Sequence, residues 1–230
     1  MTISIIIPAL NEALLIGQSV ARAWETGPHE VLVADGGSDD GTADAARAAG
    51  AIVVTAPRGR ASQQNAAARR ALGDTLLFLH ADTWLARDGL RQIEQVLAEG
   101  HVESGAFHQR IEAERRIYRL VERGNAWRAA RRGLPYGYQG IFVRRHVFDE
   151  LGGFPELRLM EDLMLMKRLR RRSRPVLLPG PLYVSARRWE HYGVVRQTAR
   201  NWLLLAAAGL GADPNRLARF YPEPSAKIST

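Results

Sequence analysis

The sequence predicts an α/β fold with a mostly parallel central sheet and helices on both faces. Three observations carry this reading. Strand-like and helix-like segments alternate four times in the first half, the pattern of parallel crossover units. The strand candidates are continuous apolar runs, as strands covered on both faces require. No internal repeat or long linker interrupts the chain, so residues 1–230 read as one domain with an elaborated second half.

The elements follow in order. "ISIIIPA" (3–9) is β-branched and apolar, a strand. Asn11 to about Trp24 keeps Leu14, Leu15, Gln18 and Ala21 at helical spacing. "EVLVAD" (30–35) is a second strand, and "GGSDDGT" a tight loop in which Ser38 or Asp39 suits the cap of the next helix. "TADAARAAG" is a short helix closed by Gly50. "AIVVTA" (51–56) is a third strand. "PRGRASQQNAAARRALG" turns into a helix stopped by Gly73, and "TLLFLHAD" (75–82) is a fourth strand. A helix from about Arg87 to Glu99 closes the regular half. "HVESGAFHQRI" (101–111) alternates like a strand, and 112–132 reads as a basic helix. "YGYQGIFVRR" (136–145) gives a loop and a strand, "LGGFPE" a turn, and "LMEDLMLMKRLRRR" a helix. "RPVLLPGPLYVSARRW" is strand-like with proline punctuation. Residues 192–210 form an apolar helix, and "DPNRLARFY" a short capped one.

Composition sets limits. Hydrophobic residues make up 46% and charged residues 24%, as in soluble globular proteins. With no cysteine, disulfides, thiolate zinc sites and cysteine nucleophiles are excluded. "MTISIIIPALNEA" lacks the basic start of a signal peptide. "NWLLLAAAGLGA" (201–212) is shorter than the roughly 20 residues that span a bilayer. A cytoplasmic placement is therefore expected. The net charge of +8 and pI of about 10.5 favour anionic partners. "KRLRRRSR" (167–174) is the densest basic cluster, suited to a solvated helix face, a phosphate or an acidic membrane surface. No helix-turn-helix, zinc-finger or aromatic-basic RNA-binding pattern accompanies the charge, so nucleic acid is not an expected partner.

Parallel α/β sheets bind ligands outside the carboxyl ends of their strands. Those ends carry Pro8 to Glu12, Asp35 to Ser38, Arg58 to Arg60, and His80 to Asp82. Asp35 is placed to accept hydrogen bonds from a base or ribose; a plain strand-to-helix turn is the alternative. Arg58 and Arg60 precede a helix start, where guanidinium donors and unpaired N–H groups suit a diphosphate. The loop is neither G-x-G-x-x-G nor a P-loop. Asp82 offers a carboxylate to Mg2+ or Mn2+, ions that take their remaining ligands from phosphates and water. Glu161 and Asp162 lie inside an apolar helix, about 100° apart around its axis. A general base explains an acid there, and so does a salt bridge to arginine. Arg188, Trp189 and His191 form a basic-aromatic cluster suited to a phosphate and a ring.

In this order the motifs resemble those of the inverting nucleotide-sugar glycosyltransferases of family 2, which have the GT-A fold. "SIIIPALNEA" resembles the family's opening strand and Asn-Glu turn. "VADGGSDDGT" resembles its acidic nucleotide loop, and "RGRASQQNAA" the following basic loop. "LFLHADT" stands where the family has its metal-binding D-x-D. "LGGFPE" with "MEDLML" is similar to the acceptor-side turn and its Glu-Asp pair. "SARRW" is similar to Q-x-x-R-W. "HADT", "YQGIFVRR" and "ARRW" also resemble the small bacterial branch associated with arsenosugar biosynthesis.

The resemblance implies a nucleotide-sugar half over about 1–100 and an acceptor half over about 101–230. It implies that Pro8, Ala9, Asn11, Glu12 and Asp35 line the nucleoside pocket, with Arg60 beside it. Asp82 would bind a divalent metal, with His191 as a further ligand. Asp162 would be the general base, assisted or supported by Glu161. Arg188 and Trp189 would face diphosphate and acceptor. The acceptor would be a small molecule or a lipid, with peripheral membrane contact or a homodimer compatible with the apolar and basic stretches. Two departures stand out: His80 replaces the first acid of D-x-D, and Ser185 the glutamine of Q-x-x-R-W. The latter disfavours a processive polymerase. Two rival readings are nucleotidyl transfer, which lacks its glycine-rich triphosphate loop, and a non-catalytic nucleotide- or membrane-binding module, which leaves the acids at 161–162 without a task.

Overall fold

The computed structural model describes residues 1–221. In chain order they form β1 (Ile3–Ala9), α1 (Ala13–Trp24), β2 (Glu30–Asp35), α2 (Thr42–Ala48), β3 (Ile52–Thr55), α3 (Arg60–Arg70) and β4 (Thr75–Phe78). Then come β5 (Thr83–Leu85), α4 (Gly89–Ala98), β6 (Ser104–Glu112), α5 (Arg116–Arg132), β7 (Ile141–Arg144) and α6 (Arg145–Glu150). The chain continues with α7 (Glu161–Arg172), β8 (Val176–Ser185), α8 (Arg187–Tyr192), α9 (Val194–Gly209) and α10 (Pro214–Leu217).

The strands make one eight-stranded sheet in the order β3-β2-β1-β4-β7-β6-β8-β5. The first four run parallel, and β7 joins β4 antiparallel. Side-chain alternation along β1 separates two cores. Ile3, Ile5 and Ile7 pack with Ile16 and Val20 of α1 and Ile93 of α4. Ile6 packs on the other face with Ala67 of α3, Phe148 of α6 and Leu165 of α7. Because strands are covered on both sides, they read as unbroken apolar runs rather than as alternation. The expected α/β sheet with helices on both faces is what forms.

Several boundaries differ from expectation. The strand expected over 75–82 ends at Phe78. Thr83 closes a turn instead: its N–H donates to the His80 carbonyl, and its hydroxyl accepts from the His80 N–H at 3.0 Å. The chain then reverses into β5, which pairs antiparallel with β8. The strand expected through Trp189 stops at Ser185, where the Ser185 N–H donates to the Asp82 carbonyl and α8 begins. The short helix α6 carried no sequence signal that had been read as helical. In the "GGSDDGT" loop Gly41, not Ser38 or Asp39, stands at the cap of α2, Asp40 Oδ1 accepts from the Thr42 N–H at 3.0 Å, and the loop also caps backward. Ser38 Oγ, Asp40 Oδ2 and Thr42 Oγ1 accept from the N–H groups of Asn11, Ala13 and Glu12, at the start of α1. Three of the six basic residues at 167–174 are engaged within the fold: Arg172 pairs with Glu103 and Glu150, and Arg168 and Arg174 donate to backbone carbonyls. The short terminal helix is capped as expected, with the Asn215 N–H donating to Asp213 Oδ1 at 2.9 Å. Among the described residues no helix is long and apolar enough to cross a membrane.

Gly105 marks where the sheet is tightest. A Cβ there would stand 2.4 Å from the Val176 carbonyl oxygen and 2.6 Å from the Phe142 ring. Backbone cannot retreat as a flexible side chain can. Gly105→Ala is therefore expected to lower stability by about 2–3 kcal/mol, read from urea unfolding.

Candidate functional site

The order of strands reverses between β1 and β4, so a crevice opens at their carboxyl ends. The chain leaves β1 through Pro8 to Glu12 and leaves β4 through His80 to Asp82. These two exits flank the crevice. Asn11 has a left-handed backbone, φ 54°, which asparagine tolerates better than most residues. Gln63 of α3 donates from Nε2 to the carbonyls of Ala9 (2.7 Å) and Ala34 (2.8 Å), tying the ends of β1 and β2 together.

Two adjoining cavities occupy the crevice. The larger, about 550 Å³, is lined by Pro8, Ala9, Glu12, His80 and Asp82, and by Arg58, Arg60, Arg158, Arg187, Arg188 and Arg219. Among the described residues, six arginines therefore face two carboxylates. Such a lining suits a polyanion. The smaller cavity, about 110 Å³, is more apolar. Tyr136, Tyr138, Trp189, Leu159 and Leu204 form its wall, and Asp162 faces it. Tyr138 stands edge-on to Trp189 at 6.3 Å. Arg60, His80, Asp82 and Arg188 line both cavities and mark their junction.

Two acids begin α7. Met160 before them has φ 65°, an unusual backbone for a side chain of its shape and a local strain of about 1 kcal/mol. Glu161 is 2% exposed, and its Oε1 lies 2.8 Å from Arg60 Nε. Burial pushes its carboxyl up, and Arg60 opposes that shift. The salt-bridge alternative thus holds for Glu161, through an arginine from α3 rather than from its own helix. Asp162 is half-buried. Its Oδ2 accepts from the Gly137 N–H at 2.5 Å and its Oδ1 from the Leu163 N–H at 2.7 Å. A Cβ on Gly137 would lie 3.0 Å from Asp162 Oδ2 and 3.1 Å from His80 Nε2. The space between these two groups is thus kept open by a glycine. Burial, reinforced by Arg60, lowers the His80 imidazole to about 4, so it is neutral near pH 7.

Arg187 had not been singled out from sequence. It donates to both oxygens of Glu12, at 2.9 and 3.1 Å, and from Nε to Asp82 Oδ2 at 3.3 Å. Arg188 turns the other way and donates to the Tyr221 hydroxyl at 2.7 Å. Trp189 is buried against Tyr118 and Tyr138. Four expected residues line neither cavity: Glu161, buried against Arg60 as described above, and Asp35, Asn11 and His191. Asp35 is buried and accepts from the N–H groups of Gly37 and Ser38. Asn11 Oδ1 accepts from the Asp39 N–H. His191 is exposed beside Tyr192, so the structure does not bring it to Asp82.

The donor set fits a divalent cation in one limited way. No three His, Asp or Glu side chains converge among the described residues. Asp82 at the cavity junction supplies one carboxylate, and such ions complete their shell with phosphate and water.

A family model for glycosyl transferase family 2 matches residues 4–152, more than half of the sequence. The chain belongs to glycosyl transferase family 2. No curated protein matches this family 2 chain. Among solved structures it is similar to Staphylococcus aureus TarS 1–349, with a TM-score of 0.62 and 18% identity over 81% of this chain and 61% of that one. TarS was also solved in complex with UDP-GlcNAc, and that structure matches with a TM-score of 0.59 and 18% identity over 80% of this chain and 58% of that one. A further similar structure is glucosyl-3-phosphoglycerate synthase from Mycobacterium tuberculosis, in complex with Mn2+, UDP and glucosyl-3-phosphoglycerate. Its TM-score is 0.58, with 22% identity over 80% of this chain and 70% of that one. The family 2 chain therefore spans less than two thirds of TarS 1–349. At these identities the likeness establishes the fold, a mixed α/β sheet of the GT-A kind.

Arg60→Ala would leave Glu161 buried without its partner. A loss of about 3 kcal/mol is expected in urea unfolding, and adding Glu161→Gln to the same chain should restore most of it.

Proposed function

We propose that this chain is a nucleotide-sugar-dependent glycosyltransferase that works by single displacement with inversion. One observation carries the reading: Asp162 faces the aromatic cavity across Gly137 from His80, a residue that lines both cavities. A donor diphosphate in the larger cavity and an acceptor in the smaller one would then meet beside a carboxylate.

In the reaction Asp162 takes the proton from an acceptor hydroxyl. The acceptor oxygen forms a bond to the anomeric carbon from the side opposite the diphosphate. The bond between that carbon and the diphosphate oxygen breaks, and its electron pair leaves with the nucleoside diphosphate. The Gly137 and Leu163 N–H groups hold the Asp162 carboxylate in place. Arg60 and Arg188, at the cavity junction, meet the charge developing on the leaving group. Neutral His80 adds no charge of its own between them. Mg2+ or Mn2+, when bound at Asp82, would add Lewis-acid stabilisation of the diphosphate. The complex of Mn2+ and UDP in the mycobacterial synthase supports this assignment. Glu161 acts through Arg60 rather than on the substrate. Pro8, Ala9 and Glu12 would border the nucleoside. Asp35 and Asn11 would support that border from behind, by holding the acidic loop.

The aromatic wall of Tyr136, Tyr138 and Trp189 suits an acceptor with a flat or apolar face. The affinity to the arsenosugar-associated branch rests on "HADT", "YQGIFVRR" and "ARRW", and the acceptor is either a small molecule or a lipid.

Asp162→Asn should abolish sugar transfer, by at least about a thousandfold, while nucleotide binding by calorimetry is kept. Near wild-type transfer by this variant would remove Asp162 from the role of base. A thermal-shift screen of UDP-, GDP- and dTDP-sugars, each with Mg2+ or Mn2+, is expected to show one base preferred. The stabilising donor should be hydrolysed slowly to its nucleoside diphosphate. Release of pyrophosphate from a nucleoside triphosphate would instead assign nucleotidyl transfer.

A further inference from the structure

Helix α9 has a mixed inner face and an apolar outer one. Its inner face gives Gln197, Asn201, Leu204 and Leu205 to the aromatic cavity. Its outer face carries Val195, Ala199, Trp202, Leu203, Ala206 and Leu210, all exposed. At 3.6 residues per turn these six fall within an arc of about 100° along roughly 22 Å of helix. Trp202 is 64% exposed and Leu203 71%. No acidic residue occurs in α9.

Helix α5 packs against α9 and repeats the pattern with charge. Its exposed residues Arg116, Leu120, Arg123, Trp127 and Arg131 also fall within about 100°. Trp127 is 57% exposed. The one acid of α5, Glu122, is turned inward to Arg119 at 2.9 Å.

We propose that the outer faces of α5 and α9 dock on an anionic phospholipid bilayer. Tryptophan and leucine interleaved with arginine fit the headgroup boundary, where rings sit at the interface and guanidinium groups reach phosphate. The charge complements an acidic leaflet. A second copy of the chain fits less well, because self-association through α5 would set arginine against arginine. On the transferase reading, the same docking brings the aromatic acceptor cavity behind α9 next to the membrane, within reach of lipid-borne hydroxyls. Docking itself does not require that reading.

The test is flotation of the full chain with phosphatidylcholine vesicles, with and without phosphatidylglycerol, in the absence of donor and acceptor. Binding is expected only with phosphatidylglycerol and should weaken as salt rises. Trp202→Ser with Leu203→Ser should reduce it at least about tenfold. The melting temperature should stay unchanged, because both side chains are exposed. Arg116→Glu with Arg123→Glu should remove the preference for acidic lipid. Three results would overturn the proposal: no flotation of the wild-type chain, equal flotation of the Trp202 and Leu203 variant, or a solution dimer by light scattering that this variant dissociates. Sugar transfer is not read in this assay, so its failure would leave the transferase reading standing.

Discussion

Charge matching across the switch-point crevice is the constraint on which the rest of the structure depends. Glu12 and Asp82 lie in the turns that follow two adjoining parallel strands and would face each other as like charges in a partly buried place. The Arg187 guanidinium lies between them and bonds to both. Arg60 and Glu161 make a second such bridge from α3 to α7. Each bridge runs from the regular first half to the irregular second half. Buried ion pairs add little net stability, yet an unpaired partner is costly, so they specify one arrangement of the two halves. The cavities are what remains between those bridges.

The arrangement also separates two kinds of surface. The larger cavity draws its guanidinium groups from both halves, Arg58 and Arg60 from the first and Arg158, Arg187, Arg188 and Arg219 from the second. The second half contributes rings, with Tyr136, Tyr138 and Trp189 packed edge-to-face or tilted. Such rings hold shape with few rotatable bonds. Asp162 stands where the two kinds of surface meet, fixed by two backbone N–H groups rather than by another side chain. Its position therefore follows the backbone of Gly137, where a Cβ would press on both His80 and Asp162.

The parallel half was legible in the sequence because its signals are local. Apolar runs of five or six residues, glycine stops and one strand after each helix are fixed by neighbours a few residues away. The crevice was legible for the same reason, since polar residues collect where strands end. Arg187 was not. Its partners Glu12 and Asp82 lie 175 and 105 residues away, and only the folded chain brings them together. In sequence it is one of two adjacent arginines beside Trp189, and nothing local separates the one that bridges carboxylates from the one that meets Tyr221. The end of the fourth strand is ambiguous in sequence because His80 and Asp82 suit a strand tip and a turn equally. The Thr83 hydroxyl, bonded back to His80, decides for the turn. Helix α8 was hidden behind strand-like residues, because its first turn is set by the end of β8 rather than by its own composition.

Gln63 has a mechanical consequence. Its carboxamide bonds to the last carbonyl of β1 and the next-to-last of β2, and Gly36 lies against it so closely that a Cβ there would stand 3.0 Å from the carboxamide. The two strands cannot splay apart at that end without breaking both bonds. One side of the larger cavity is therefore a fixed jaw. Any widening to admit or release a bulky molecule falls to the opposite jaw, the segment around Arg158, Arg188 and Tyr221. That jaw is held by side-chain contacts such as Arg188 with Tyr221, which reform within a molecule's ordinary fluctuations, rather than by a sheet, which does not.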